Sequence, residues 1–266
     1  METFRLKNII LVILALVNVF LLASLLSRQS AERSAYQEAV SQLSQLFQGD
    51  GIELRTDRIP KETPHGVMTL TRDTAAEGEL AAALLGDEVT YTDQGGGVSL
   101  YTSSIGTALF RLAGDFDATL SLPLEQPEAY CAKLCRRFGY GDLTVDLQDG
   151  FGTLCATRYF ADKPVVNATL TFTLVSHVLV SVSGRQLPEG GVESDTGCLS
   201  ALSALTRFQQ SLDETGAICS VVLDMEPGYL LQSTPAVPLS LVPIWRIFTD
   251  TKQYDVNCVT AEVSVH

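Results

Sequence analysis

Two pairs of acidic residues are spaced so that both members could act on one ion or substrate. Asp115 and Asp117 are two residues apart, and so are Asp224 and Glu226. This spacing places both carboxylates on one face of a strand, where they could bind Ca²⁺ or serve as general acid and base. Neither pair lies in the loop pattern of a calcium site. We therefore expect solvated carboxylates at turns and strand edges.

Histidine, the usual general base near neutral pH, occurs three times. His65 lies in a loop flanked by proline, His266 is the last residue, and His177 is predicted to be a half-exposed strand residue without a role. Acyl transfer needs a nucleophile beside a base, and no G-x-S-x-G elbow occurs. The glycine run at 95–97 leads into a strand-like segment, which predicts a hairpin loop rather than a nucleotide site.

The six cysteines are too few and too scattered for a disulfide scaffold, and none forms a C-x-x-C motif. Cys131 and Cys135 are four residues apart, but both fall on the apolar stripe of a predicted helix. We interpret them as small buried hydrophobic residues. The sequence thus predicts no catalytic, cofactor-binding or metal-binding residues, and a protein that is not an enzyme.

The composition fits a folded protein with one strongly apolar segment. Of the 266 residues, 46% are hydrophobic and 18% are charged, and the formal net charge is −13. No cluster of Lys and Arg could neutralise a run of phosphates, which argues against a nucleic-acid partner. We expect no small-molecule substrate either.

The apolar segment covers residues 9–26 and contains no charged residue. Its length is close to the ~20 residues that a helix needs to cross a bilayer, and it exceeds the apolar region of a usual signal peptide. We therefore predict a single-pass protein of the cell membrane. Arg5 and Lys7 favour a cytoplasmic N-terminus and an extracytoplasmic C-terminal bulk, by the positive-inside bias.

The predicted fold class is α+β, with an N-terminal transmembrane helix followed by tandem modules that each combine a helix with an antiparallel sheet. Residues 145–151 and 223–229 align with Asp and Gly in register, which suggests a repeat of about seventy residues. The predicted organisation is a cytoplasmic tail (1–8), a transmembrane helix (9–26), a juxtamembrane helix (27–48), an N-terminal α+β module (49–123) and two similar modules (124–190 and 191–266).

The C-terminal segments 243–247 (PIWRI) and 254–262 (YDVNCVTAE) resemble the closing strands of PepSY-like modules. With one N-terminal span, the chain resembles the YycI branch of the YycH/YycI proteins, membrane-anchored regulators of the WalK/YycG sensor histidine kinase of Gram-positive bacteria. Cys258 and Ala261 depart from the family pattern, which has Ala and Gly there.

The resemblance implies a non-enzymatic regulator that binds a kinase of the WalK/YycG type, with a YycH-like protein as a further partner. We expect Asn18, Ala15 and Leu22 to contact the partner, because Asn18 would seek a hydrogen bond between helices. One alternative is a cell-envelope PepSY-type inhibitor or chaperone of an extracellular protease. Another is an envelope hydrolase that uses a carboxylate pair.

Overall fold

The computed structural model describes residues 2–86, 88–188, 190–234 and 237–265. Its helices are α1 (Glu2–Gly49), α2 (Thr74–Leu85), α3 (Pro127–Arg137) and α4 (Ala201–Thr215), with a short 3-10 helix at Thr56–Arg58. The strands are β1 (Glu53–Leu54), β2 (Met68–Leu70), β3 (Thr90–Gly95), β4 (Val98–Thr102), β5 (Gly106–Phe110), β6 (Asp115–Pro123), β7 (Tyr140–Gln148), β8 (Phe151–Phe160), β9 (Lys163–Val175), β10 (Val178–Arg185), β11 (Gly191–Glu193), β12 (Val221–Thr234), β13 (Val237–Thr249), β14 (Gln253–Asn257) and β15 (Val263–Val265).

All fifteen of these strands belong to one mixed sheet. Its main path runs in the order β11-β2-β13-β12-β9-β10-β6-β5-β4-β3, while β8 branches from β9 and carries β7 at its outer edge. Most neighbours are antiparallel, but β12 pairs in parallel with both β1 and β9. Strand β9 therefore connects the two ends of the sheet.

The first core lies between the sheet and helices α2 and α3. The helices bury residues at three- and four-residue spacing, such as Leu80 and Leu84 in α2 and Cys131 and Cys135 in α3. Strand β9 supplies alternate residues to the same core, including the fully buried Phe172. The alternation follows from strand geometry, because successive side chains point to opposite faces of a sheet.

The second core joins the last turns of α1 to α4 and strands β12 to β15. Phe47 of α1 stacks on Phe208 of α4, with 6.4 Å between the ring centroids, and both side chains are fully buried. Trp245 is also fully buried, and its indole N–H donates to the Leu199 carbonyl at 2.8 Å. Residues from both ends of the chain thus build one core.

A third, smaller cluster connects the two cores where β9 meets β12. Val165 pairs with Tyr229 across this junction. The Tyr229 ring meets the edge of Phe160 with 5.8 Å between centroids. Aromatic pairs in this geometry stabilise by ~0.5–1.5 kcal/mol beyond their buried area. The sheet is therefore packed continuously through its centre.

The predicted fold class is wrong in two respects. Helix α1 runs without a break from Glu2 to Gly49, and no helix in the described residues is both long and apolar enough to cross a membrane. The predicted series of separate modules is replaced by one sheet, because β10 pairs with β6 along its length and both strands contribute to the first core. The residue boundaries proposed for the modules remain predictions.

Candidate functional site

A groove of about 780 Å³ lies between α3 and β7. Ala129 and Ala132 line it from the helix, and Leu143, Val145 and Leu147 line it from the strand. The start of α3 and two hairpin turns close one end with polar residues, which are Gln126, Glu128, Asp149 and His177. The groove thus combines an apolar lining with a polar end.

Helix α3 forms one wall because its buried stripe fixes its orientation. Pro127 occupies the first turn, where its missing N–H costs nothing, and Cys131 and Cys135 turn towards the first core. Ala129 and Ala132 consequently lie beside the groove. Two alanines at these positions leave the space open that larger side chains would fill.

Strand β7 forms the other wall and is joined to β8 by a two-residue turn. Asp149 and Gly150 both have positive φ, at 50° and 79°. These values match a type I′ turn, for which an Asp-Gly pair is well suited. The turn sets the register, so Leu147 lies opposite Gly152 and Val145 lies opposite Leu154. Alternation along β7 then turns Leu143, Val145 and Leu147 towards α3.

The outer edge of β7 is unpaired within the described part of the chain, since β8 is its sole strand partner there. A two-residue hairpin makes the residues that flank its turn a hydrogen-bonded pair. The backbone groups of residues 144, 146 and 148 therefore point to β8. Those of Val145 and Leu147 point outwards, to the open edge beside the groove.

His177 lies at the closed end, in the turn between β9 and β10. It has a φ of 63°, its N–H donates to the Gly150 carbonyl at 3.0 Å, and its own carbonyl accepts from Leu124 at 2.9 Å. A Cβ at Gly150 would lie 2.5 Å from the His177 ring, so glycine is required there. The prediction that His177 lies in a strand is wrong, because it occupies the turn between β9 and β10.

The carboxylate pairs lie away from the groove and have partners of their own. Asp115 pairs with Arg185 at 2.7 Å, and Asp117 pairs with Arg111 at 2.6 Å. Asp115 and Asp117 line one shallow polar pocket, as expected for residues on one face of a strand.

In the second pair, Glu226 contacts Arg246 at 2.7 Å, while Asp224 accepts the N–H of Met225. Each pair is thus tied to neighbouring groups of the sheet.

All six cysteines are free. Cys131 and Cys135 are buried in α3, which confirms their interpretation as hydrophobic core residues. Burial raises the pKa of Cys131 to about 12 and that of Cys135 to about 11. Because the thiolate is the reactive form, this burial disfavours reaction of either thiol near neutral pH. The described residues also contain no group of three or more His, Cys, Asp or Glu that could hold a metal ion.

The residues predicted to bind a partner lie on α1, apart from the groove. Asn18 is exposed, and Leu22 has 59% of its surface exposed. The side chain of Ala15 lies outside the described residues.

The two remaining histidines lie elsewhere. The exposed His65 lies 3.5 Å from the Glu193 carboxylate, and His266 falls outside the described range.

Sequence reasoning did not find the α3–β7 groove. The alternation of Leu143, Val145 and Leu147 was the available signal, since it marks one apolar strand face. It does not reveal that the strand lies at an edge, because edge position depends on distant pairing.

Comparison with known proteins gives little further information. No family model matches the sequence, and no curated protein matches it. Among solved structures, the chain is similar to an uncharacterized protein from Eubacterium rectale, at 10% identity and a TM-score of 0.42, over 80% of this chain and 85% of that one.

It is also similar to the C-terminal domain of Bacillus megaterium YpeB, at 10% identity and a TM-score of 0.36, over 74% of this chain and 98% of that one. Both likenesses are too distant for a function to be transferred. The resemblance to the YycI branch gains no support from a family model.

Proposed function

We propose that this protein is a non-enzymatic regulator that works outside the cytoplasm and binds a sensor histidine kinase of the WalK/YycG type. The observation that supports binding of another protein is the groove between α3 and β7. Its lining is mainly apolar, and it runs beside an edge of β7 that has no strand partner among the described residues. Exposed apolar surface beside free backbone groups suits the recognition of another protein.

The surroundings of the titratable groups favour binding over catalysis. An acid–base pair needs carboxylates that can reach a substrate. Asp115, Asp117 and Glu226 each form an ion pair with an arginine instead. In the groove, Glu128, Asp149 and His177 are the titratable lining residues, and no cysteine or serine joins them. A nucleophile beside a base is therefore missing from the lining of this groove.

The kinase assignment rests on the resemblance of segments 243–247 and 254–262. In the structure these segments form β13, β14 and the turn after them, with Trp245 and Tyr254 buried in the second core. Such residues fix packing rather than contact a partner. The resemblance therefore bears on the fold more directly than on the partner, and the extracytoplasmic location is inferred from the same family.

The second candidate is an inhibitor or chaperone of an extracellular protease. It is compatible with the same groove, because an edge strand can hold an extended segment of a protease as readily as one of a kinase.

The two candidates are separated by cross-linking intact cells that carry the C-terminally tagged full chain and identifying co-purified proteins by mass spectrometry. The control is Val145→Lys, which places a charge in the groove at a side chain that is 44% exposed. Recovery of a histidine kinase by the wild type, reduced in the variant, supports the regulator. Recovery of a secreted protease supports the second candidate, and recovery of neither rejects both.

A further inference from the structure

We infer that the occupant of the α3–β7 groove is an extended segment of a partner protein that adds a strand to β7. Its alternate side chains are apolar and enter the groove, and a basic residue lies at the closed end. This inference rests on the proposed function in one respect, that the chain binds a protein.

The backbone of β7 supplies the first part of the recognition. Val145 and Leu147 present their N–H and C=O groups to the open edge, as the register with β8 requires. An incoming strand would satisfy these groups in a ladder that is independent of sequence. The bulge between Gly141 and Thr144 limits the regular edge to the C-terminal half of β7. The complementary segment is therefore short, with about five residues in register.

The side chains of β7 supply the second part. Residues whose backbone faces the edge also face α3, so an added strand would place every second side chain over the same apolar floor. Ala129 and Ala132 leave room for them on the helix side. Val145, at the middle of the row, has 44% of its surface exposed and has the most to gain from being covered.

Charge supplies the third part. The acidic lining residues are Glu128 and Asp149, both at the closed end, and the lining contains no Lys or Arg. The whole chain carries a formal net charge of −13, which adds a long-range attraction for a basic segment. A lysine or arginine at one end of the segment would meet these two carboxylates.

The test uses the full chain and fluorescence anisotropy with labelled synthetic peptides. The binding probe alternates valine and threonine over five residues and carries lysine at both ends. A second probe has glutamate at both ends, and a third has the lysine ends with backbone N-methylation on every second residue of the alternating stretch. We expect the lysine probe to bind. We expect the affinity of each of the other two probes to be lower by a factor of about ten or more.

A matched pair of protein variants tests the edge itself. Val145→Pro removes one outward N–H and leaves the ladder with β8 intact, because proline is tolerated at such edge positions. Val145→Thr keeps the N–H and a β-branched side chain. We expect Val145→Pro to weaken the lysine probe about tenfold and Val145→Thr to weaken it less. Circular dichroism of both variants establishes that they are folded.

The inference is overturned if the lysine probe does not bind, if N-methylation leaves its affinity unchanged, or if Val145→Pro and Val145→Thr bind it equally well. These outcomes are separable from failure of the proposed function. Recovery of a kinase from cells without peptide binding would refute strand addition alone, whereas peptide binding without a recovered kinase or protease would refute the assigned partner alone.

Discussion

Replacing Glu77 by leucine should destabilise the protein strongly, because Glu77 forms a largely buried ion pair with Arg72. Arg72 binds both oxygens of Glu77, with Nε–Oε1 at 2.6 Å and Nη2–Oε2 at 2.8 Å. The Glu77 side chain is 3% exposed and that of Arg72 is 17% exposed. The same guanidinium donates to the Gly97 carbonyl and the Ser99 hydroxyl, so it links α2 to the turn between β3 and β4.

The magnitude follows from what remains after the substitution. Removing one partner of a buried ion pair costs ~3–5 kcal/mol, because the other charge is left without compensation. Arg72 keeps two acceptors and some contact with water, so we expect the lower end, about 3 kcal/mol. For a domain of roughly 150–250 residues this lowers the melting temperature by about 6–12 °C.

The assay is urea unfolding followed by circular dichroism and by the fluorescence of Trp245, the single tryptophan of the chain. The control is the double variant Arg72→Met with Glu77→Leu, which removes both charges. Replacing a buried pair by apolar residues is often neutral, so the double variant should recover most of the loss. A loss below about 1 kcal/mol for Glu77→Leu, or a double variant no more stable than Glu77→Leu alone, would refute this account of the pair.

Three further predictions follow from other parts of the chain. Gly150→Ala should lose about 1–3 kcal/mol in urea unfolding, because φ is positive and a Cβ would meet the His177 ring, and His177→Ala should relieve part of the loss. Backbone hydrogen bonds, chiefly from Ser220, lower the pKa of Asp250 from 3.8, so its contribution to stability is present above that value and is lost as the pH falls through the lowered pKa. The stability gap between wild type and Asp250→Asn, measured by thermal unfolding, should therefore narrow on acidification, and a gap that stays constant would contradict the cause given. Asn18→Leu should weaken recovery of a partner in the cross-linking experiment if α1 contributes a polar contact of ~1 kcal/mol, and unchanged recovery would remove Asn18 from the interface.

Helices α2 and α3 could be predicted because the signals that mark them, a cap or proline at the start and apolar spacing after it, lie within each segment itself. The sequence predicts helices at 75–85 and 127–138, and the structure has α2 at Thr74–Leu85 and α3 at Pro127–Arg137. Asp73 caps α2 by accepting from two backbone N–H groups, and Pro127 opens α3. Apolar spacing between these signals completes the pattern.

Residues 145–151 and 223–229 are similar in sequence but differ in local structure. Asp149 and Gly150 form a tight turn, whereas Pro227 and Gly228, at the matching positions, lie inside the continuous strand β12. A type I′ turn needs positive φ at both residues, and the proline ring fixes φ near −65°. The sequence contains this difference, since Asp149 aligns with Pro227, but the alignment was based on the shared apolar pattern.

The candidate site could not be predicted, because it depends on which strand ends up at an edge. Val145 and Phe172 both fall in segments predicted to be strands, but within the described residues β9 has neighbours on both sides and β7 has one. Pairing between segments distant in sequence decides this, and no local pattern encodes it.

The second core is closed by the two ends of the chain, and this sets an order of assembly. Leu43, Phe47 and β1 lie near the start, but their partners in β12 and α4 are made more than 140 residues later, since Leu54 pairs with Val222. The first core, built from residues 80–182, has all of its strands available before that point. It can therefore fold while the chain is still being made, whereas the ring of Phe47 stays uncovered until α4 has been made. A chain shortened by its final two strands would keep the groove intact and lose Tyr254 and Val256 from the core that covers the base of α1.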